Sequence, residues 1–244
     1  MKAVILVAGF GSRLRPLTDD LPKSLLPVGD STTMKRMVNS LRNQGIEEFV
    51  FITGHFEDKI KAYVAENFPM ITAHFVRNDL YEKTNTGYSL MLAEEFIRGD
   101  AFIKLDGDVN FDPRILEKLM AMPDDANYIC LDKTDVDDEV IKAELDENDT
   151  IIALGKYVDT EKAAGESVGI ERISSQYSAQ LFDSLKEILS DEKNWQEYYE
   201  FAYDHLIKSL KSIFKHVDIT GLKWVEMDNL KDYQDANKFF PAEA

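Results

Sequence analysis

The sequence predicts an α/β protein with a mostly parallel central sheet and helices on both of its faces. Three observations carry this expectation. Aliphatic and β-branched runs at residues 2–7, 49–52 and 101–105 have the character of strands buried on both faces. Segments with apolar residues at helical spacing alternate with them. The chain has 244 residues, 44% of them hydrophobic, which suffices for a sizeable core and is compatible with one domain.

The first run, 2–7, leads directly into glycines. It lacks the longer apolar region and cleavage site of a signal peptide, and therefore reads as a mature strand. A loop rich in Gly, Pro and basic residues extends to about Pro27. Ser31 or Thr32 can cap a helix carrying Met34, Met37, Val38 and Leu41 on one face and ending at Gly45. The strand 49–52 follows and stops at Thr53-Gly54. Phe56, Ile60, Tyr63 and Val64 have helical spacing, and 71–76 is a third strand. A polar loop, 77–86, enters a helix over about 87–97. The strand 101–105 ends in Asp106-Gly107-Asp108.

The pattern changes after Pro123. Shorter strands are expected at 128–131, 140–145 and 150–154, the last two joined by the turn Asp146-Glu147-Asn148-Asp149. Another strand is expected at 167–173. Long helices are predicted over about 176–189 and 194–214, then a strand near 224–227 and a helix over 229–239. Neither repeats nor a Ser/Gly linker interrupt the chain, so one domain over 1–244 is expected. Its later elements should extend the first sheet and line its cleft.

Charge narrows the partners. The formal net charge is −17. Such a field repels nucleic acid and anionic membranes, and a polyanionic small ligand needs a local cationic pocket or a divalent metal. No apolar run approaches the roughly 18 residues that a membrane span requires. The one cysteine, Cys130, excludes an internal disulfide and a cysteine zinc cluster, and reads as a buried small hydrophobe. These features fit a cytoplasmic protein. They leave a homo-oligomer open.

The densest signal is Leu6-Val7-Ala8-Gly9-Phe10-Gly11-Ser12-Arg13-Leu14-Arg15-Pro16-Leu17-Thr18, followed by Pro22-Lys23. Glycines after a buried first strand let backbone N–H groups approach a phosphate, and Arg13, Arg15 and Lys23 add positive charge. Two glycines alone would describe a surface turn. The dinucleotide-binding pattern fails because position 14 is Leu, and no Walker Gly-Lys-Ser/Thr follows. Asp106 and Asp108 sit just past a buried strand, where open α/β sheets place their ligand crevice. Asp228 lies far away, in Trp224-Val225-Glu226-Met227-Asp228-Asn229. One carboxylate from each place suits Mg²⁺, which is usually held by one or two carboxylates plus substrate phosphates. Helix capping is the plain alternative for Asp112 and Asp228.

Taken together, Gly-x-Gly-Ser-Arg-Leu-x-Pro-x-Thr and the later Pro-Lys resemble the signature loop of the sugar-phosphate nucleotidyltransferase superfamily. The resemblance implies a Rossmann-like nucleotidyltransferase fold, with a nucleotide-binding half at 1–123 and an acceptor-binding, sheet-completing half at 124–244. It implies that Ala8 and Gly9 contact the base, that Gly11, Ser12 and Arg13 cradle the triphosphate, and that Lys23 acts at the α-phosphate. Arg13 and Lys23 are thus the expected catalytic cations. It also implies that Asp108 and Asp228 hold Mg²⁺, with Asp106 and Glu226 as lesser contacts.

Asn85 and Ser89 can each donate to and accept from a base edge. The segment Tyr81-x-x-Thr84-Asn85-Thr86-Gly87-Tyr88-Ser89-Leu90 resembles the base-recognition loop of small cytidylyltransferases, which favours CTP and adds Asn85, Gly87 and Ser89 to the nucleotide set. Gly165-Glu166-Ser167-Val168-Gly169-Ile170 resembles a segment of phosphocholine and aminoethylphosphonate cytidylyltransferases. That likeness implies Lys156 on the acceptor phosphate and Glu166 at the acceptor's cationic end. By itself Lys156 reads as an exposed strand-end lysine.

Trp195, Tyr198, Tyr199, Tyr203, Leu206, Ile207 and Leu210 form a helical stripe that reads mainly as core, with Tyr203 and Asp204 as further acceptor candidates. The acidic runs 124–125, 135–139 and 191–192 read as solvated loops. The expected reaction is transfer of CMP from CTP to a small phosphomonoester or phosphonate, with release of pyrophosphate. A sugar-1-phosphate nucleotidyltransferase using dTTP, UTP or GTP and a non-catalytic nucleotide-binding regulatory protein are the alternatives.

Overall fold

A computed structural model describes residues 1–134 and 136–242. The strands are β1 (Lys2–Val7), β2 (Pro27–Val28), β3 (Ser31–Thr32), β4 (Glu48–Thr53), β5 (Thr72–Arg77), β6 (Phe102–Asp106), β7 (Val109–Phe111), β8 (Asn127–Asp132), β9 (Lys142–Leu145), β10 (Ile151–Gly155), β11 (Gly165–Ile173), β12 (Phe214–Asp218) and β13 (Trp224–Glu226). The helices are α1 (Thr33–Asn43), α2 (Glu57–Asn67), α3 (Thr86–Met91), α4 (Glu94–Ile97), α5 (Arg114–Met120), α6 (Ser175–Leu189), α7 (Tyr199–Lys208) and α8 (Leu230–Phe239).

β1 is the centre of the sheet. Its Ala3, Ile5 and Val7 join one core cluster and its Val4 and Leu6 the other, so both faces of the strand are buried. β4 pairs with it in parallel on one side and β6 in parallel on the other, and β5 extends the β4 side. The chain therefore leaves β1 in one direction and returns on its opposite side. That reversal opens a crevice at the carboxyl ends of β1 and β6, the usual ligand position in such sheets. β11 lies antiparallel to β6 and to β8, and carries β9 and β10 beyond.

The first core cluster takes its helical side chains from α1, α2 and α5, the second from α3, α4, α6 and α7. A third, small cluster joins Leu14, Leu26 and Val28 to Met227 and Ala236. It fastens the glycine-rich loop to the C-terminal helix, so the leucine of the loop motif is a buried plug.

Two expectations need correction. The helix predicted over 194–214 is shorter. Tyr198 is extended and only Tyr199–Lys208 forms α7. Leu210 takes a left-handed φ of 53°, and the chain then runs as β12, parallel to β8, with Phe214 and Val217 buried. The helical spacing of Tyr203, Leu206 and Ile207 concealed the break because Leu210, the next residue in register, is 92% exposed. The helix predicted over 87–97 is divided into α3 and α4. β7, too short for a periodic signal, was also not foreseen. It pairs antiparallel with β13, Trp224 opposite Phe111 and Glu226 opposite Val109. Cys130 is fully buried, as expected.

Gly107 shows how tightly the crevice end is built. Its N–H donates to Leu6 O at 2.9 Å, and a Cβ there would overlap the Val7 side chain and lie 2.5 Å from Leu6 O. Gly107→Ala should lower the unfolding free energy by about 1–3 kcal/mol, the usual cost of overpacking, in urea titrations.

Candidate active site

The glycine loop, the end of β6, the start of α3, the β11 bend and the entry to α7 enclose one cleft of about 590 Å³. This is within the range of small-molecule sites.

At the loop end, Gly11 adopts a left-handed conformation (φ 62°, ψ 35°) and starts a single 3₁₀ turn over Ser12–Leu14. Its carbonyl accepts from Leu14 N at 3.0 Å and Thr18 Oγ1 at 2.8 Å. A second 3₁₀ turn, Lys23–Leu25, presents Lys23 beneath it. Lys23 Nζ lies 2.5 Å from Asp108 Oδ2 and 3.2 Å from Asp228 Oδ1. An Arg13 guanidinium nitrogen lies 2.8 Å from Asp228 Oδ2. Burial opposes the charge on Lys23, but Asp108 and then Asp228 outweigh it and hold the ammonium above the usual lysine range.

The β7–β13 pairing brings the distant Asp228 to Asp108, supported by Met227 N donating to Asp108 O at 3.1 Å. Asp228 is not the cap of α8. Asn229 caps it, with Asp232 completing a capping box, so the Asp228 carboxylate faces the cleft. Oxygens of Asp108, Glu226 and Asp228 can all lie within 4.8 Å of one another. The Oδ1 of Asp108 is buried with no hydrogen-bond partner among the described residues. Such hard oxygen donors fit Mg²⁺.

Behind this end is a buried polar group that sequence reasoning missed. Lys104 is fully buried and stands opposite Glu171 in the β6–β11 register. Its Nζ lies 2.9 Å from Glu171, 3.0 Å from Asp106 Oδ2 and 3.4 Å from the centre of the Tyr199 ring. The Tyr199 hydroxyl donates to Asp106 at 2.7 Å. Glu200 is buried nearby, with Oε2 unpartnered among the described residues. One ammonium thus pairs directly with two carboxylates, with a third close by. Burial pushes Asp106 and Glu171 upward against the pull of Lys104, and pushes Glu200 up to about 7. A lysine inside the run Phe102-Ile103-Lys104-Leu105-Asp106 was the available sequence signal.

Of the expected nucleotide residues, Ala8, Gly9, Gly11, Arg13, Lys23, Asn85, Ser89 and Asp106 line the cleft. Ser12 and Gly87 do not. Ser12 is exposed on the turn, and Gly87 packs against the backbone of 197–198, where a Cβ would lie 2.8 Å from Glu197 O. Asn85, rather than Thr86, caps α3: its Oδ1 accepts from Thr86 N at 2.8 Å, and its Nδ2 donates to Gln196 O at 3.2 Å. Ser89 Oγ accepts from Asn78 Nδ2 at 3.1 Å. Tyr81 and Thr84, from the same predicted loop, share this end, and so does Asn78, which was not foreseen.

At the other end, Lys156 and Glu166 line the cleft, joined by Glu139, Tyr198 and Glu200. Glu139, expected in an idle loop, lies 4.0 Å from Lys156. Asp135 of the same run lies outside the described residues. Tyr203 and Asp204 do not reach the cleft. Tyr203 is fully buried against Tyr199 and Phe214, and Asp204 accepts from Leu154 N and the Tyr157 hydroxyl while pairing with Lys208. The expectation of acceptor contact is withdrawn for Tyr203, whereas Asp204 lines an adjoining cavity of about 420 Å³ that shares Ile141, Lys156, Tyr198 and Glu200 with the cleft. Burial, then Asp137 and Asp132, push Glu166 up to about 7.

Residues 2–243 match the family described as nucleotidyl transferase. The chain is 28% identical over 252 residues to a CMP-5'-(3-aminopropyl)phosphonate synthase of Streptomyces rubellomurinus, covering 99% of this chain but 39% of that protein. It is 27% identical over 257 residues to a CTP:phosphoglutamine cytidylyltransferase of Campylobacter jejuni, covering 96% and 98% respectively. The fold resembles that of the inositol-1-phosphate CTP transferase from T. maritima, with a TM-score of 0.79 and 22% identity over 98% of this chain and 95% of that one. Among the described residues, no helix is long and apolar enough to cross a membrane.

The raised Glu200 has a measurable consequence. A carboxyl whose folded pKa exceeds its unfolded value contributes stability that is full below the unfolded pKa, about 4.3, and lost as pH rises through about 7. Glu200→Gln should therefore flatten the fall in unfolding free energy between pH 5 and pH 8. The difference should be on the order of 2 kcal/mol, read from urea titrations at the two pH values.

Proposed function

The chain belongs to the nucleotidyl transferase family, and within it we propose a cytidylyltransferase that moves CMP from CTP onto a small phosphate- or phosphonate-bearing acceptor. The observation that carries this reading is the convergence of Arg13 and Lys23 with Asp108 and Asp228 at the glycine loop, at one end of a single cleft. In a chain of net charge −17, these cations give a triphosphate a local place to bind. The names of the Streptomyces and Campylobacter relatives, which specify CMP and CTP, support the choice of nucleotide.

The far end of the cleft suggests the acceptor. Lys156 offers one positive charge to an anionic head, while Glu139, Glu166 and Glu200 offer negative charge to a cationic group such as an amine. The nucleophile needs no general base, since a phosphomonoester has its second pKa near about 6 and is largely ionised at neutral pH. The task of the protein is then to align two anions and to stabilise charge on the departing pyrophosphate. Ala8 and Gly9 flank the base with Asn78, Tyr81, Asn85 and Ser89, and Gly11 with its turn holds the phosphates. Arg13 and Lys23 stabilise the transferring and leaving groups. Asp108 and Asp228 would hold Mg²⁺, with Asp106 and Glu226 beside them. A bound Mg²⁺ would supply neutralisation of phosphate charge.

Asp108→Ala and Lys23→Ala should each lower turnover by about 10²–10³ while leaving the circular dichroism spectrum unchanged. The decisive assay is pyrophosphate release with each of the four NTPs and a panel of phosphate and phosphonate acceptors. CTP should lead with an amine-bearing acceptor. Preference for dTTP, UTP or GTP with a sugar 1-phosphate would replace this reading.

Glu166 adds a pH dependence. Below about 7 it is neutral and cannot pair with an ammonium, so KM for an amine-bearing acceptor should rise as pH falls from 8 to 6. Glu166→Gln should raise that KM and flatten its pH profile, with little change in KM for CTP.

A further inference from the structure

Lys23 occupies an unusual place for a residue whose task is to meet phosphate. Its ammonium lies between the two carboxylates suited to the metal, 2.5 Å from Asp108 and 3.2 Å from Asp228. Arg13 takes the second oxygen of Asp228. Of the four oxygens on these two carboxylates, only Asp108 Oδ1 has no partner among the described residues. The Lys23 and Asp108 side chains are only 19% and 17% exposed, so solvent ions screen the pair weakly.

The two kinds of group differ in mobility. Asp108 is fixed by the β6–β7 turn and by Met227 N on its carbonyl. The base of Lys23 is fixed by its 3₁₀ turn beneath Gly11, but its four-carbon stem can swing the ammonium. A bare divalent cation approaching the carboxylates meets this ammonium at close range and has nothing to offer it in exchange. A triphosphate in the loop offers Lys23 and Arg13 anionic oxygens, and so draws them away.

We propose that Lys23, helped by Arg13, reserves the Asp108–Asp228 pair in the nucleotide-free protein, so that a divalent cation binds there strongly only together with a nucleoside triphosphate. Lys23 is thus a counter-ion to the carboxylates first and to the phosphates second. The inference rests on the triphosphate reading of the cleft, and it predicts that removing a positive charge from the site impairs turnover yet improves binding of the bare metal.

The test is Mn²⁺ binding without nucleotide, read from the free-ion signal in electron paramagnetic resonance, on the full chain. Wild type should bind weakly. Lys23→Met should bind at least tenfold more tightly, Lys23→Arg should stay weak, and adding Asp108→Asn to Lys23→Met should abolish the gain. Lys23→Gln provides a second neutral variant should the Met protein fail to fold. Equal Mn²⁺ affinity in wild type and a folded neutral variant would overturn the proposal, as would wild-type binding that is equally tight with and without CTP. Should a neutral variant gain affinity while no NTP supports turnover, the reservation stands and the functional reading fails. Should CTP turn over normally while the neutral variants gain nothing, only the reservation fails.

Discussion

The contact between the Lys23 ammonium and the carboxylates of Asp108 and Asp228 ties together three parts of the chain that are remote in sequence. Lys23 comes from the loop after the first strand, Asp108 from the turn after β6, and Asp228 from the end of β13. Each arrives by a separate device. The loop is plugged by Leu14, the turn is closed by Gly107 against β1, and β13 is held by pairing with β7. In a strongly anionic molecule the contact is also the place where positive charge collects. Unpaired carboxylates at that point would repel one another and any triphosphate. Unpaired cations would be drawn to the many acidic groups of the surface.

The same logic governs the interior behind the cleft. Lys104 and Glu171 on the sheet and Tyr199 and Glu200 at the start of α7 are buried polar groups, with half-buried Asp106 at the end of β6 beside them. Truncating one member of such a buried pair is costly, because the remaining charge is left uncompensated. What the arrangement provides is direction: Tyr199 and Lys104 both hold Oδ2 of Asp106, and its Oδ1 has no partner among the described residues. The end of the cleft away from the glycine loop gains a carboxylate from this group through Glu200. The charge profile along the cleft therefore runs from paired ions at the glycine loop to surplus negative charge at the opposite end.

Much of the first half was legible because its signals are local. Buried strands announce themselves as continuous aliphatic runs, and β1, β4 and β6 fall where those runs lie. The cap of α1 at Thr32 and its apolar face at Met34, Met37, Val38 and Leu41 follow from side-chain type and spacing. In the second half the signals are ambiguous. The stripe from Trp195 to Leu210 has helical spacing throughout, but only its central part is helix, since β12 must turn out to pair with β8. Asn85 and Ser89 were identified by residue type, yet part of their hydrogen-bonding capacity is spent on α3 and on Asn78.

Sequence alone determined the alternation of strands and helices, the anionic surface and the chemistry of the glycine-basic loop. These depend on residues adjacent in the chain, where spacing and side-chain type suffice. Only the tertiary structure decided that Asp228 is free of capping, that Tyr203 belongs to packing and that Glu200 faces the cleft. Each of those depends on which distant backbone lies alongside, and register between remote strands is a property of the assembled sheet that no local pattern encodes.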